Sequence, residues 1–160
     1  MLDAEFENSI DSNSESKNSL RLWLHLLKCT KQLEQEMSER FRESHSSTIS
    51  RFDVMAHLSQ AGKTGLTTSV LAASLLASKG NITRLLDRME QDGLLERKAS
   101  TDDKRVSRVY LSDKGDSMFG QMAQDHENWA LEVFEDISIE ERDELLLLII
   151  KIRKRYDRKH

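Results

Sequence analysis

The sequence predicts a mainly α-helical fold with one small β-hairpin, and three observations support this prediction. Apolar residues recur at three- and four-residue spacing along most of the chain, which is the period of amphipathic helices. Two short segments near residue 100 alternate apolar and polar residues, as strands do. Serine and glycine stand where such helices would begin and end.

The N-terminal part is expected to hold a leader and two helices. Residues 1–17 are acidic and rich in Ser and Asn, so they predict a mobile leader. A first amphipathic helix is predicted from Leu20 to about Phe41. A second helix is expected to stop near Gly62 and Gly65, since glycine takes the positive φ that ends a helix.

The middle of the chain has the outline of a helix-turn-helix followed by a hairpin. A short helix precedes a longer one, for which Ser78 is the predicted N-cap and Gly93 the predicted C′ residue. The second helix is polar and basic at its start, as in helix-turn-helix units. Residues 94–99 and 106–111 then predict two strands, and the polar residues 100–105 between them predict an exposed tip, or wing.

The C-terminal part is expected to form two further helices. Ser112 is a predicted N-cap, and Ser138 with Glu141 forms a predicted capping box. The last helix carries the run Leu145 to Ile150, which is apolar nearly all round and is expected to be covered by a second subunit. The predicted divisions are a leader (1–17), an N-terminal dimerisation region (18–50), a winged helix-turn-helix lobe (51–112) and C-terminal dimerisation helices (113–160).

The charge is acidic overall but unevenly distributed. The net charge is −4, whereas nucleic-acid-binding domains are usually basic. Residues 78–108 nevertheless carry 8 basic against 6 acidic side chains, while residues 109–150 carry 2 against 11. The cations of the first segment recur on one predicted helix and one hairpin: Lys79, Arg84, Arg88, Arg97, Lys98, Lys104, Arg105 and Arg108.

Fifty residues of this region match a known pattern in register. Residues 81–90 read Asn-Ile-Thr-Arg-Leu-Leu-Asp-Arg-Met-Glu, and residues 109–115 read Val-Tyr-Leu-Ser-Asp-Lys-Gly. From Leu66 to Gly115 the chain resembles the MarR family of transcriptional regulators. The resemblance implies a homodimer that binds a double-stranded DNA operator, with a recognition helix in the major groove and a wing in the minor groove. Two departures are Ser112, where Thr is usual, and the additional acid Asp102.

The predicted DNA-binding residues lie on the recognition helix and the wing. Amide, hydroxyl and cationic side chains of this kind bond base edges and phosphates. Those on the helix are Ser78, Lys79, Asn81, Thr83, Arg84 and Arg88, and those on the wing are Asp103, Lys104 and Arg105. The resemblance places Arg105 in the minor groove, and Asp103 is expected to orient a neighbouring arginine. The alternative for the helix is an ordinary solvated face.

Shorter motifs outside this region suggest the effector. Residues 20–24, 51–55 and 80–83, with His126 and Trp129, are similar to the branch that represses hydroxycinnamate catabolism. That similarity implies release from DNA by a small aromatic acid or its coenzyme A thioester. The residues expected to bind it are Arg21, Trp23, His25, Cys29, Arg51, Met55 and Trp129. Alternatively, the two tryptophans form dimer core, and Asp53 is the partner of Arg51.

Other functions find less support in the residues. There is no nucleophile elbow, phosphate-binding loop or dinucleotide motif, and the five histidines lack metal-ligand spacing, so no catalytic residue, cofactor or metal is expected. The N-terminus lacks a signal peptide and no run is long enough to span a membrane, so a cytoplasmic location is expected.

Two rival functions stay open at this point. Cys29, with Lys28 and Lys31 nearby, predicts either a redox-sensing thiol or a small buried hydrophobe. The second rival is an architectural or protein-interaction module without a specific operator.

Overall fold

A computed structural model describes residues 15–99 and 107–157, and it confirms the predicted mainly α-helical fold with a small hairpin. The elements in chain order are α1 (Glu15–His45), α2 (Ile49–Ala61), a 3-10 turn (Gly62–Thr64), α3 (Thr68–Ser74), α4 (Lys79–Gln91), β1 (Leu95–Ala99), β2 (Ser107–Leu111), α5 (Asp113–Val133) and α6 (Ile139–Asp157). Because α1 begins at Glu15, residues 15–17 of the predicted leader are helical. The remainder of the leader lies outside the described residues.

The chain divides into two compact units, one ending at Val54 and one beginning at Met55. In the N-terminal unit, Phe41 near the end of α1 is 3% exposed, and its ring centroid lies 5.0 Å from that of Phe52. The Thr48 hydroxyl accepts a hydrogen bond from the Arg51 backbone N–H, 3.3 Å away, and so caps the start of α2. Earlier in α1, large apolar side chains are exposed: Leu20, Leu22, Trp23, Leu24 and Leu27.

The C-terminal unit has an apolar core formed by side chains of α2, α3, α4, α5 and the hairpin. Helix α3 packs on α4, α4 on β1, and α5 on β2. Its fully buried large side chains are Met55, Leu71, Leu86, Met89, Val109 and Met122. Burial of this apolar area from four helices and the hairpin holds α4 against the hairpin.

The predicted helix caps are confirmed. The Ser78 hydroxyl accepts from the Asn81 N–H at 3.3 Å, and the Ser112 hydroxyl accepts from the Gly115 N–H at 3.0 Å. Ser138 and Glu141 form the predicted capping box, in which the Ser138 N–H donates to the Glu141 carboxylate and the Glu141 N–H donates to the Ser138 hydroxyl.

The hairpin pairs β1 and β2 antiparallel, from Leu95 opposite Leu111 to Ala99 opposite Ser107. Leu66, just before α3, adds a third short pairing, because its backbone exchanges two hydrogen bonds with Val109. Backbone hydrogen bonds thus connect the start of the helix-turn-helix to the hairpin. The predicted wing tip, with Asp103, Lys104 and Arg105, lies outside the described residues.

Helix α6 leaves its apolar run exposed within the single chain. Leu145 is 38% exposed, Leu146 55%, Leu147 67% and Leu148 54%. The described part of the chain therefore does not bury this run, which a second subunit is expected from the sequence to cover. None of the described helices is both long enough and apolar enough to cross a membrane.

Candidate nucleic-acid interface

Helix α4 presents the six predicted polar residues together on its exposed side. Ser78, Lys79, Asn81, Thr83, Arg84 and Arg88 are all exposed. The Arg84 guanidinium donates to the Asn81 side-chain oxygen at 2.7 Å, and the Thr83 hydroxyl donates to the Lys79 carbonyl at 2.9 Å. The Arg84–Asn81 hydrogen bond fixes the orientation of two groups that can bond the edges of bases.

The opposite side of α4 is buried. Leu86 and Met89 are 0% exposed and Ile82 is 4% exposed, while Leu85 is only half-buried. These three buried residues, spaced four and three positions apart, anchor one side of the helix in the core. The polar face therefore projects from a fixed support.

The two acidic side chains in the C-terminal half of α4 are paired with an arginine of β1. Arg97 of β1 contacts the Asp87 carboxylate at 2.6 Å and the Glu90 carboxylate at 3.0 Å. Because Arg97 contacts both carboxylates, neither acid of α4 is left without a cationic partner. From the sequence, Arg97 was counted only among the basic residues of this region, and its role in positioning α4 was missed.

Two other hairpin cations also form contacts within the chain. The Arg108 guanidinium donates to the Thr64 carbonyl at 3.3 Å and to the Gly65 carbonyl at 3.2 Å, which ties β2 to the turn before α3. The Lys98 ammonium lies 2.7 Å from the Glu96 carboxylate. That hydrogen bond raises the pKa of Lys98, because the Glu96 carboxylate stabilises the charged ammonium.

The end of α4 is fastened to the start of α5. The Ser112 hydroxyl donates to the Gly93 carbonyl at 2.6 Å, and the Lys114 ammonium donates to the Asp92 carbonyl at 2.7 Å. Gly115 lies so close that a Cβ there would be 2.1 Å from the Leu94 carbonyl oxygen. We call these six residues, Asp92, Gly93, Leu94, Ser112, Lys114 and Gly115, the α4–α5 joint.

The predicted effector residues of the N-terminal unit lie on more than one face. Arg21, His25 and Cys29 follow one another at four-residue spacing, so they share one exposed face of α1. Trp23 points about 160° away from Arg21 around the same helix. Arg51, at the start of α2, is half-buried.

The two predicted effector residues of the C-terminal unit are buried. Met55 is 0% exposed and Trp129 is 6% exposed. The Trp129 ring stacks on that of His126, with 5.7 Å between the ring centroids. Among residues 15–99 and 107–157, no three His, Cys, Asp or Glu side chains are grouped as metal ligands.

These features together define a winged helix-turn-helix. Helix α3, its turn and α4 form the helix-turn-helix, and the β1–β2 hairpin, paired to Leu66, is the wing.

Comparison with known proteins agrees with this class. The MarR family model matches residues 47–107. An uncharacterized HTH-type transcriptional regulator of Bacillus cereus is 28% identical over 139 residues, which cover 86% of this chain and 90% of the relative. The HTH-type transcriptional regulator MhqR of Bacillus subtilis is 28% identical over 130 residues, covering 81% of this chain and 86% of MhqR.

Solved structures show the same fold. The regulator BldR of Sulfolobus solfataricus superposes with a TM-score of 0.76 at 21% identity, covering 89% of this chain and 99% of BldR. MepR of S. aureus, solved with DNA, superposes with a TM-score of 0.74 at 17% identity, covering 84% and 97%. Residues 47–107 therefore match the MarR family model, and the full-length likeness to these structures is a likeness of fold. The names of these relatives do not refer to hydroxycinnamates.

Proposed function

We propose that this protein binds a palindromic DNA operator as a homodimer, through α4 and the wing, and represses transcription until an aromatic effector releases it. The observation that carries the DNA-binding part is the exposed polar face of α4, whose own acids Asp87 and Glu90 are paired with Arg97. A helix anchored on one side and bearing amide, hydroxyl and cationic groups on the other fits the major groove. The structures of MepR and of a MarR mutant from E. coli, each with DNA, provide a precedent for the fold.

The homodimer part of the proposal is supported by the exposed apolar residues of α6. A run in which four consecutive leucines are each between 38% and 67% exposed is unfavourable in water unless another surface covers it. A second copy of the same helix offers a matching apolar surface. A two-fold dimer that reads successive major grooves must hold its two recognition helices about 34 Å apart, one turn of DNA.

Two substitutions on α4 separate base recognition from phosphate anchoring. Arg84→Ala should weaken specific binding by roughly 1–3 kcal/mol and relax base preference, since it removes a side chain oriented by Asn81. Lys79→Ala should weaken binding to all duplexes alike and lower the salt slope by about one. The measurement is a fluorescence-anisotropy titration against the DNA upstream of its own gene and against a random duplex.

Arg40→Ala is the matched control, because Arg40 is an exposed cation already paired with Glu36 on α1. It should bind DNA like the wild type. If the two α4 variants also bind like the wild type, α4 is not the recognition helix. If the wild type shows no preference for any duplex over random DNA, the chain is an architectural or interaction module instead.

The effector part of the proposal is supported by the row formed by Arg21, His25 and Cys29 on α1. An arginine beside an imidazole on an exposed face can pair with a carboxylate, and neighbouring apolar side chains can cover an aromatic ring. Effector binding then favours a dimer whose lobes do not fit successive major grooves. The loss of DNA affinity is at most the effector's preference for that state, typically about 1–3 kcal/mol.

Titration of the DNA complex with p-coumarate, ferulate or their coenzyme A thioesters tests this proposal. We expect release under reducing conditions, blunted by Arg21→Ala and intact in Cys29→Ser. Cys29 is exposed, so an oxidant in solution can reach its thiol, as the redox-sensing alternative requires. Peroxide-driven release that Cys29→Ser abolishes, without any response to hydroxycinnamates, would establish the thiol sensor and refute the aromatic effector.

A further inference from the structure

The turn between α3 and α4 contains a leucine in a conformation that favours glycine. Leu76 has φ +49°, in the left-handed region. Its N–H donates to the Ala73 carbonyl at 3.2 Å, and the next N–H, of Ala77, donates to the Ala72 carbonyl at 3.0 Å. These two bonds form a Schellman motif in which Leu76 occupies the C′ position.

Helix α4 ends with the same motif built on glycine. The Gly93 N–H donates to the Glu90 carbonyl and the Leu94 N–H to the Met89 carbonyl, both at 2.9 Å, and Gly93 has φ +73°. Glycine adopts this conformation without the Cβ strain that other residues incur. Of these two helix ends, only that of α3 has a side chain at the left-handed position; among the described residues, Ser46 after α1 is the other non-glycine residue with positive φ.

The Leu76 side chain contributes little to folding in return. It is 95% exposed, the largest exposure among the large apolar side chains described. A leucine in contact with water gains no burial free energy, so neither its backbone conformation nor its side chain favours leucine over glycine here.

The position of Leu76 suggests what the side chain contacts. It lies two residues before Ser78, the N-cap of α4, at the end of the helix that carries Lys79 and Asn81. In helix-turn-helix complexes the N-terminal residues of the recognition helix meet the base edges. The apolar side chain of Ile82, in the first turns of α4, is buried in the core and so cannot supply an apolar contact with DNA there.

We propose that Leu76 is an additional DNA-contacting residue, whose side chain packs against an apolar surface of the duplex beside the recognition helix. This inference rests on the proposed DNA-binding function. The duplex offers two such surfaces, the C5-methyl group of thymine in the major groove and the carbon face of deoxyribose along the backbone. Contact with either buries the leucine on binding.

Three substitutions at this position test the proposal, with thermal unfolding and DNA titration measured on each full-length variant. Leu76→Gly removes the side chain and the strain, so it should raise Tm by about 2–4 °C and weaken binding about tenfold. Asparagine tolerates the left-handed conformation but is polar. Leu76→Asn should therefore keep the wild-type Tm and weaken DNA binding by the same factor as Leu76→Gly. Leu76→Met keeps an apolar side chain and should bind within about twofold of the wild type. The probe is the tightest-binding duplex selected from a random library by the wild type.

Replacing thymines of the selected duplex by uracil distinguishes the two apolar surfaces. If the contact is a thymine methyl, one uracil position should weaken the wild type and leave Leu76→Gly unaffected. If no uracil position has this effect while Leu76→Gly still binds about tenfold more weakly, the contact is with deoxyribose.

A Leu76→Gly variant that is more stable and binds the selected duplex like the wild type would overturn the proposal. A lower Tm for Leu76→Gly would overturn it too, since leucine would then be present for folding. Because each titration includes the wild type, failure of the proposed function is seen separately, as a wild type for which no preferred duplex can be selected.

Discussion

Gly115→Ala should cause one of the largest losses of stability among single substitutions in this protein. A Cβ at this position would lie 2.1 Å from the Leu94 carbonyl oxygen and 3.3 Å from the Leu111 side chain. The atom at 2.1 Å belongs to the backbone, so α5 must move away from the end of α4 to admit the methyl group. We expect a loss of roughly 3 kcal/mol, or about 6–12 °C in Tm, measured by thermal unfolding.

Gly120→Ala supplies the control on the same helix. No atom lies within 4 Å of a Cβ built at Gly120, so alanine fits and should stabilise α5 by roughly 0.5–1 kcal/mol. Equal stability of the two variants would mean that α5 is not packed against the end of α4 as described. Circular dichroism of both variants separates local loosening of the α4–α5 joint from loss of the whole fold.

The second large effect is expected on α6, where Leu146→Asp should abolish the dimer. If the exposed leucines form the subunit interface, a carboxylate there loses burial of the leucine and places a charge in an apolar surface. The combined cost of about 3 kcal/mol or more raises the dimer Kd more than a hundredfold. Sedimentation velocity at micromolar concentration measures the change directly, and DNA affinity should fall with it.

Ile139→Asp is the matched control for this experiment. Ile139 is 70% exposed and stands in the first turn of α6, where the helix dipole favours a carboxylate. The Ile139→Asp variant should therefore remain dimeric. A wild type that sediments as a monomer, or a Leu146→Asp variant that remains a dimer, would contradict the proposed interface.

Local signals in the sequence predicted most of the helix ends. The N-caps at Ser78 and Ser112 and the box of Ser138 and Glu141 each depend on residues within four positions of one another. Such contacts follow from side-chain chemistry whatever the rest of the chain does. The hydrophobic period likewise indicated which side of α4 is buried, because the apolar residues of an amphipathic helix recur on one face.

Contacts across larger separations were not accessible in the same way. Arg97 and Asp87 are ten residues apart and meet only because β1 folds back along α4. Arg108 reaches the Gly65 carbonyl across 43 residues, so its role as a fastening could not be separated from its charge in the sequence. Leu76 was missed for the opposite reason, since a turn built on leucine lacks the glycine that marks a helix end.

The α4–α5 joint connects α4 to the base of α5 through two hydrogen bonds and the close contact at Gly115. Helix α5 has 21 residues, so its far end lies about 30 Å from the fastening at Ser112 and Lys114. A displacement of about 3 Å at that far end corresponds to a tilt of about 6° at the joint, for a helix of this pitch. Since α4 is tied to the base of α5, it would turn through a similar angle without any change in its own contacts. A displacement of that size at the C-terminal end of α5 would therefore redirect the α4 side chains that we propose to contact DNA.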